Sequence, residues 1–251
     1  MSYELIALPA FANNYIWAIE QDGHALVVDP GDPNVVLAWL QERQLVLDTI
    51  LITHHHFDHT GGLERLMQEP GVASLGPDEG INGLIRLLAG GETLELGRFG
   101  KAQVLPVPGH TRAHLAYYLP DRKVLFAGDT LFSAGCGRLF EGTAAQMHES
   151  LERLMALPGD TLLCCTHEYT LANLQFAAAV EPENKAIGQR QQEVESLLAQ
   201  DLPSLPVRLA EERDYNPFLR CHLPSVAQAV QLAGAPVIEV FAALRAWKDG
   251  F

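Results

Sequence analysis

Positive charge is scarce in this sequence: 17 lysines and arginines stand against 31 aspartates and glutamates, a formal net charge of −14. A field of that sign repels polyanions at long range, so nucleic acid is excluded as an expected partner. A small anionic substrate would need a local cluster of lysine and arginine to offset it. Cysteine is sparse too. Cys136, Cys164, Cys165 and Cys221 form no C-x-x-C pair, and two of them are adjacent in an apolar stretch, so they read as free thiols and not as a disulfide framework. No apolar run approaches the ~18 residues of a membrane span. The N-terminus has no basic region followed by an apolar core and a small-residue cleavage site. The expectation is a cytoplasmic protein without a membrane partner.

What is present is an ordinary globular composition, 48% apolar and 19% charged, which can bury a core without disulfides or oligomerisation. A monomer is expected. From Tyr3 to about Cys165, short β-branched or apolar runs are bounded by Gly, Pro and Asp, among them 25–28, 49–52, 103–105, 124–126 and 162–164. These are strand signals. Helical patterns lie between some of them, at 34–43, 63–68 and 144–156, which places strands and helices in one layered α/β unit. After His167 the texture changes: 170–180, 184–200 and 224–232 have helical spacing with almost no strand-like runs between them. The expected organisation is a catalytic domain over 1–166 and a small helical domain over 167–251.

The chemistry concentrates in Leu51-Ile52-Thr53-His54-His55-His56-Phe57-Asp58-His59-Thr60-Gly61-Gly62, at the C-terminal end of a buried-strand pattern, where α/β proteins place their sites. Imidazole and carboxylate are good ligands for zinc and its neighbours, and alternation in an extended segment points His54 and His56 the same way. A His-rich surface turn is the bland alternative. Against it, single ligand types recur at other strand ends: His110 in Pro108-Gly109-His110-Thr111, Asp129 in Phe126-Ala127-Gly128-Asp129-Thr130, and His167 in Cys165-Thr166-His167-Glu168. His55 and His114, near these positions, read first as ordinary packing or surface residues, with orienting the ligands or contacting substrate as the alternative. His24, His148 and His222 read as incidental.

The pattern H-x-H-x-D-H followed by isolated His, Asp and His resembles the metallo-β-lactamase superfamily, and Val28-Asp29-Pro30-Gly31 fits that family's early strand and turn. The resemblance implies an α/β fold, the four-layer αββα sandwich, here with a helical C-terminal domain. It also implies two divalent metals per chain, zinc first with iron or manganese as alternatives. By it His54, His56 and His110 hold one ion, Asp58, His59 and His167 the second, and Asp129 bridges.

Within the superfamily the chain is similar to glyoxalase II, the hydroxyacylglutathione hydrolases. The residues carrying this are 53–62, Gly128-Asp129-Thr130-Leu131-Phe132, 135–143, His167-Glu168-Tyr169-Thr170 and the tail Arg245-Ala246-Trp247-Lys248-Asp249-Gly250-Phe251. The resemblance implies hydrolysis of the thioester S-D-lactoylglutathione and related 2-hydroxyacylglutathiones by a metal-bridging hydroxide. The products are D-lactate and glutathione, in the second step of methylglyoxal detoxification. Asp58 and Asp129 take the catalytic roles. Substrate contacts fall to Arg138, Phe140, Tyr169, Arg245 and Lys248. Arg245 and Lys248, three apart on one helix face, are the basic cluster that the charge balance calls for. Phe140 stands where some members carry tyrosine, Arg138 where some carry lysine, and Asn13 where aspartate is frequent. None of these is a metal ligand. Other chemistries of this superfamily, namely lactam, phosphodiester and persulfide substrates, and a fold that has lost turnover, are the competing expectations.

Overall fold

The computed structural model describes residues 3–251, which divide into two compact units. The first takes the chain to Pro106 together with Ala113–Gly128, and the second takes Val107–Arg112 with Asp129–Phe251.

In the first unit β1 (Glu4–Ala10), β2 (Asn14–Gln21), β3 (His24–Val28), α1 (Pro33–Arg43), β4 (Val46–Leu51), the short helices α2 (Phe57–Thr60) and α3 (Leu63–Leu66), β5 (Ala73–Pro77) and β6 (Arg86–Leu88) follow in order. The six strands form one sheet in sequence order, antiparallel across β1, β2 and β3 and parallel from β3 to β6. Parallel strands are covered on both faces, which is why 25–28 and 50–52 read as unbroken apolar runs and not as alternating ones. Helix α1 starts where Asp32 accepts from Asn34 N at 2.8 Å with Pro33 in the first turn, and it buries Val36, Trp39 and Leu40 against Leu8, Ala18, Val27 and Ile50 of the sheet. The remaining strands, β7 (Thr93–Glu95), β8 (Lys101–Pro106), β9 (Leu115–Leu119) and β10 (Val124–Gly128), pair antiparallel in that order. Because β3 and β4 are parallel neighbours, Asp29 and the segment from Thr53 leave the sheet at the same edge, and Asp29 N donates to Leu51 O at 3.0 Å.

The second unit opens with the hairpin β11 (Leu131–Phe132) and β12 (Gly135–Cys136), then α4 (Ala144–Met155) behind a Thr143/Gln146 capping box. Strand β13 (Leu162–Cys165) pairs with the short β14 (Val207–Arg208). Around them lie α5 (Thr170–Val180), α6 (Lys185–Leu198), α7 (Glu212–Tyr215), α8 (Pro224–Ala229) and α9 (Val237–Asp249). Leu174 and Ala177 of α5 pack on Ile187 and Val194 of α6. Compactness thus groups β11 to β13 and α4 with the helices, whereas the sequence texture changes at His167. All four cysteines are buried free thiols, and among the described residues no helix is long and apolar enough to cross a membrane.

Candidate metal centre and substrate cavity

In the first unit the turn after β4 brings together His54, His56, Asp58 and His59, the last two on α2. Asp29 organises them. Its Oδ1 accepts from Thr53 N at 2.8 Å, and its Oδ2 accepts from Thr53 Oγ1 at 2.7 Å and from His59 Nδ1 at 3.0 Å. The Thr53 hydroxyl proton is thereby committed to Asp29, so Thr53 Oγ1, 3.0 Å from His54 Nδ1, acts as acceptor there. Both histidines are fixed as the tautomer with the proton on Nδ1 and the lone pair on Nε2, the form a metal takes up. His54 Nε2 and His56 Nδ1 lie 3.0 Å apart. Two ligands of one tetrahedral ion keep roughly 3.3 Å for bonds of ~2.05 Å, so this spacing fits a shared cation. Asp58 is held through Oδ2 by Asn14 Nδ2 at 2.9 Å. His114 stacks on His54, with centroids 4.6 Å apart and planes 22° apart, against Gly128, where a Cβ would lie 2.7 Å from that ring.

In the second unit His110, Asp129 and His167 converge. His110 Nε2 and His167 Nε2 lie 3.5 and 3.4 Å from the same oxygen, Asp129 Oδ2. His110 Nδ1 donates to Arg138 O at 2.9 Å, which again places the lone pair on Nε2, the atom that could take up a metal. That contact depends on Gly137: a Cβ there would sit 1.9 Å from Asp129 O, so only glycine lets the backbone pass between Asp129 and His110. His167 stacks on Tyr169, with centroids 4.6 Å apart and planes 7° apart, and Phe140 meets His110 edge-on at 5.2 Å. Five imidazoles and two carboxylates are therefore present at the predicted positions, a donor set suited to divalent metals.

A cavity of about 570 Å³ in the second unit is lined by His110 and Asp129 and by all five predicted substrate residues, Arg138, Phe140, Tyr169, Arg245 and Lys248. The two basic residues of α9 are not equivalent. Arg245 is buried, its Nη1 donates to Cys136 O at 2.7 Å, its Nη2 lies 3.1 Å from Asp249 Oδ1, and its guanidinium covers Phe218 at 5.0 Å. Lys248 reaches Ala172 O at 3.1 Å over Phe176 and Phe251, and burial, with Arg245 and Arg138 nearby, holds its ammonium below the ordinary lysine range. Arg138 is exposed, 3.6 Å from Asp249.

The β11–β12 hairpin from which the Arg138 loop departs is fixed by buried polar groups. Asn173 Nδ2 donates to Ser133 O at 3.0 Å, and Asn216 Nδ2 to Phe132 O at 3.2 Å and Gly135 O at 3.0 Å. Glu212, its carboxyl pushed up by burial, accepts from Ser133 Oγ and from Ala134 N, each at 2.8 Å. Sequence reasoning assigned no role to Asp29, Asn14, Asp249, Asn173, Asn216 or Glu212. For Asp29 there was a signal: an aspartate between an apolar strand and Pro-Gly, which here adopts φ 54°. The others carry none that is local.

The family model of the metallo-β-lactamase superfamily matches residues 10–167, and that of the hydroxyacylglutathione hydrolase C-terminus matches residues 168–251. Proteins named hydroxyacylglutathione hydrolase from Albidiferax ferrireducens and Aeromonas salmonicida are each 50% identical to this chain over 256 residues, covering 99% of it and 100% of the relative. Among solved structures, ETHE1 from Myxococcus xanthus superposes with a TM-score of 0.68 at 24% identity over 98% of this chain and 90% of its own, a likeness of fold. The four-layer metallo-β-lactamase fold with a helical C-terminal region is thus that of this protein. With both family models spanning the described chain from residue 10 onward, and relatives at half identity over its whole length, the chain belongs to the hydroxyacylglutathione hydrolases of the metallo-β-lactamase superfamily.

Proposed function

We propose that this protein is the thioester hydrolase that converts S-D-lactoylglutathione and related 2-hydroxyacylglutathiones to D-lactate and glutathione, the second step of methylglyoxal detoxification. The observation that carries the reading is the cavity of the second unit, which has the donors His110 and Asp129 among its lining residues together with Arg138 and Lys248. A carboxylate-rich peptide thiol needs such cations against a chain charge of −14.

In this reading His54, His56 and His110 would hold one divalent ion and Asp58, His59 and His167 another, with Asp129 a donor to each. Zinc is first by donor preference, with iron and manganese as alternatives. When bound, such ions supply hydroxide at neutral pH and polarise the acyl carbonyl. The chain's own residues do the rest. Asp58, steadied by Asn14, would orient the nucleophile while serving as a donor to its ion. Asp29 keeps the proton of His59 on Nδ1. Lys248 and Arg138 bind the peptide carboxylates, and Tyr169, stacked on His167, contacts the peptide beside Phe140. The leaving thiolate, whose conjugate thiol has an ordinary pKa of ~8.5, needs no strong general acid. Residues 1–166 act as the catalytic domain and 167–251 as the substrate-binding one. The protein works as a cytoplasmic monomer, in keeping with its four free thiols.

Steady-state hydrolysis of S-D-lactoylglutathione, run beside a chromogenic lactam and a phosphodiester on one metal-replete preparation, tests this. Thioester turnover at least a hundredfold above the other two is expected. Comparable or greater rates on either alternative would overturn it.

A further inference from the structure

Glu79 stands in the turn after β5, far in sequence from every ligand, with a nearly buried side chain, 7% exposed, that accepts three hydrogen bonds. Its Oε2 takes His55 N at 3.0 Å and His55 Nδ1 at 2.9 Å, and its Oε1 takes Ala113 N at 2.9 Å. His55 lies between the ligands His54 and His56, and Ala113 immediately precedes His114, whose ring stacks on His54. One carboxylate therefore clamps the backbone of the ligand turn to the segment that carries the ring packed against it.

Asp29 grips the same turn through Thr53 and His59, so the turn is held between two carboxylates. The donors to Glu79 are two main-chain amides and one imidazole, with no lysine or arginine among them. None of these partners carries a permanent positive charge, His55 forming an ion pair only when protonated. The carboxylate is placed to fix donors whose own positions matter.

We infer that Glu79 is a positioning residue for the metal centre, setting the register of His54 and His56 through His55 and through the Ala113–His114 backbone. It acts on the ligands' geometry and not on the substrate. The inference rests on the metal reading given under Proposed function.

The test is chelator competition, with metal content read by elemental analysis, on wild type, Glu79→Ala, Glu79→Gln and His55→Ala. Loss of a direct outer partner of a metal ligand costs about 10–100-fold in metal affinity, and because Glu79 reaches the ligands through His55 and the Ala113–His114 backbone, Glu79→Ala should give the low end, about tenfold. The KM for S-D-lactoylglutathione at saturating metal should stay within about twofold of wild type. Glu79→Gln keeps the shape and one acceptor but turns an NH2 toward an N–H donor, so it should recover only part of the affinity. In the double variant His55→Ala with Glu79→Ala, the loss should be less than the product of the single losses, because both remove the same contact. Wild-type chelator resistance in Glu79→Ala or Glu79→Gln would overturn the inference. So would an affinity loss matched by an equal fall in the unfolding midpoint of the metal-free protein, which marks Glu79 as a fold residue only. If Glu79→Ala does not fold, Glu79→Gln and His55→Ala carry the test. Failure of the underlying metal reading would look different, because wild type itself would then bind no stoichiometric metal.

Discussion

Truncating Arg245 and truncating Lys248 should produce different defects, although the two stand three residues apart on α9 and line one cavity. Arg245 is 5% exposed, and its Nη1 donates to the carbonyl of Cys136 at 2.7 Å. A hydrogen bond from a charged donor to a buried acceptor is worth about 1.5–3 kcal/mol. Guanidinium stacking over Phe218 adds about 0.5–1 kcal/mol, and the exposed Asp249 pair adds at most about 1 kcal/mol. Arg245→Ala should thus cost about 2–5 kcal/mol of stability and loosen β12, the strand that leads to Arg138. Its kcat and KM on the glutathione thioester should both suffer. Lys248 is half-buried with one hydrogen bond to Ala172 O, worth about 0.5–1 kcal/mol after allowance for solvent. Lys248→Ala should leave stability within that margin and raise KM five- to thirtyfold with kcat nearly unchanged. Urea unfolding, together with kinetics on S-D-lactoylglutathione and on an acetyl thioester of a simple thiol, separates the two. Activity of Lys248→Ala on the small thioester should be retained. An Arg245→Ala protein as stable as wild type, with a pure KM defect, would refute the assignment of Arg245 as an internal anchor. Equal losses for Lys248→Ala on both substrates would refute its role in holding the peptide.

Asp129→Ala should abolish turnover and lower bound metal from about two equivalents toward one or none, checked by elemental analysis, because one carboxylate is asked to hold both ions. Gly137→Ala places a Cβ 1.9 Å from Asp129 O and must displace the Arg138 carbonyl from His110, so metal affinity should fall at least tenfold in chelator titration. The pH profile has a definite sign. Burial and the two arginines disfavour the charged form of Lys248, so its ammonium loses its proton below the ordinary lysine value of 10.5, and KM for the thioester should begin to rise with pH on the alkaline side before that value. The same shift makes folding more favourable as pH climbs through the folded pKa toward 10.5, since the penalty on the buried charge disappears. Lys248→Met should lack the alkaline rise in KM.

The candidate ligands stood out in the chain because their signals are local: His54, His56, Asp58 and His59 fall within one turn, and His110, Asp129 and His167 each follow a strand signal. Strand period and residue type marked them as candidates, and their division between two ions came only from the family resemblance. The helices α4 and α6 were legible for the same reason: the spacing of their apolar faces is written in consecutive residues, whereas α5 is apolar nearly all round. What surrounds the ligands was not legible. Asp29 and Glu79 each stand 24 residues from the residue they hold, Thr53 and His55, and nothing in their neighbourhood distinguishes them from solvated acids beyond the Pro-Gly that follows Asp29. Parallel pairing of β3, β4 and β5 carries Asp29, the ligand turn and Pro77, two residues before Glu79, to one edge of the sheet. The tail shows the same limit: spacing put Arg245 and Lys248 on one face, but packing against Phe218 and Cys136 buried the first and left the second half-open. Residue type decides which groups can bind a metal or an anion. Which of them are held still, and which remain available to a ligand, depends on partners brought together only when the chain has folded.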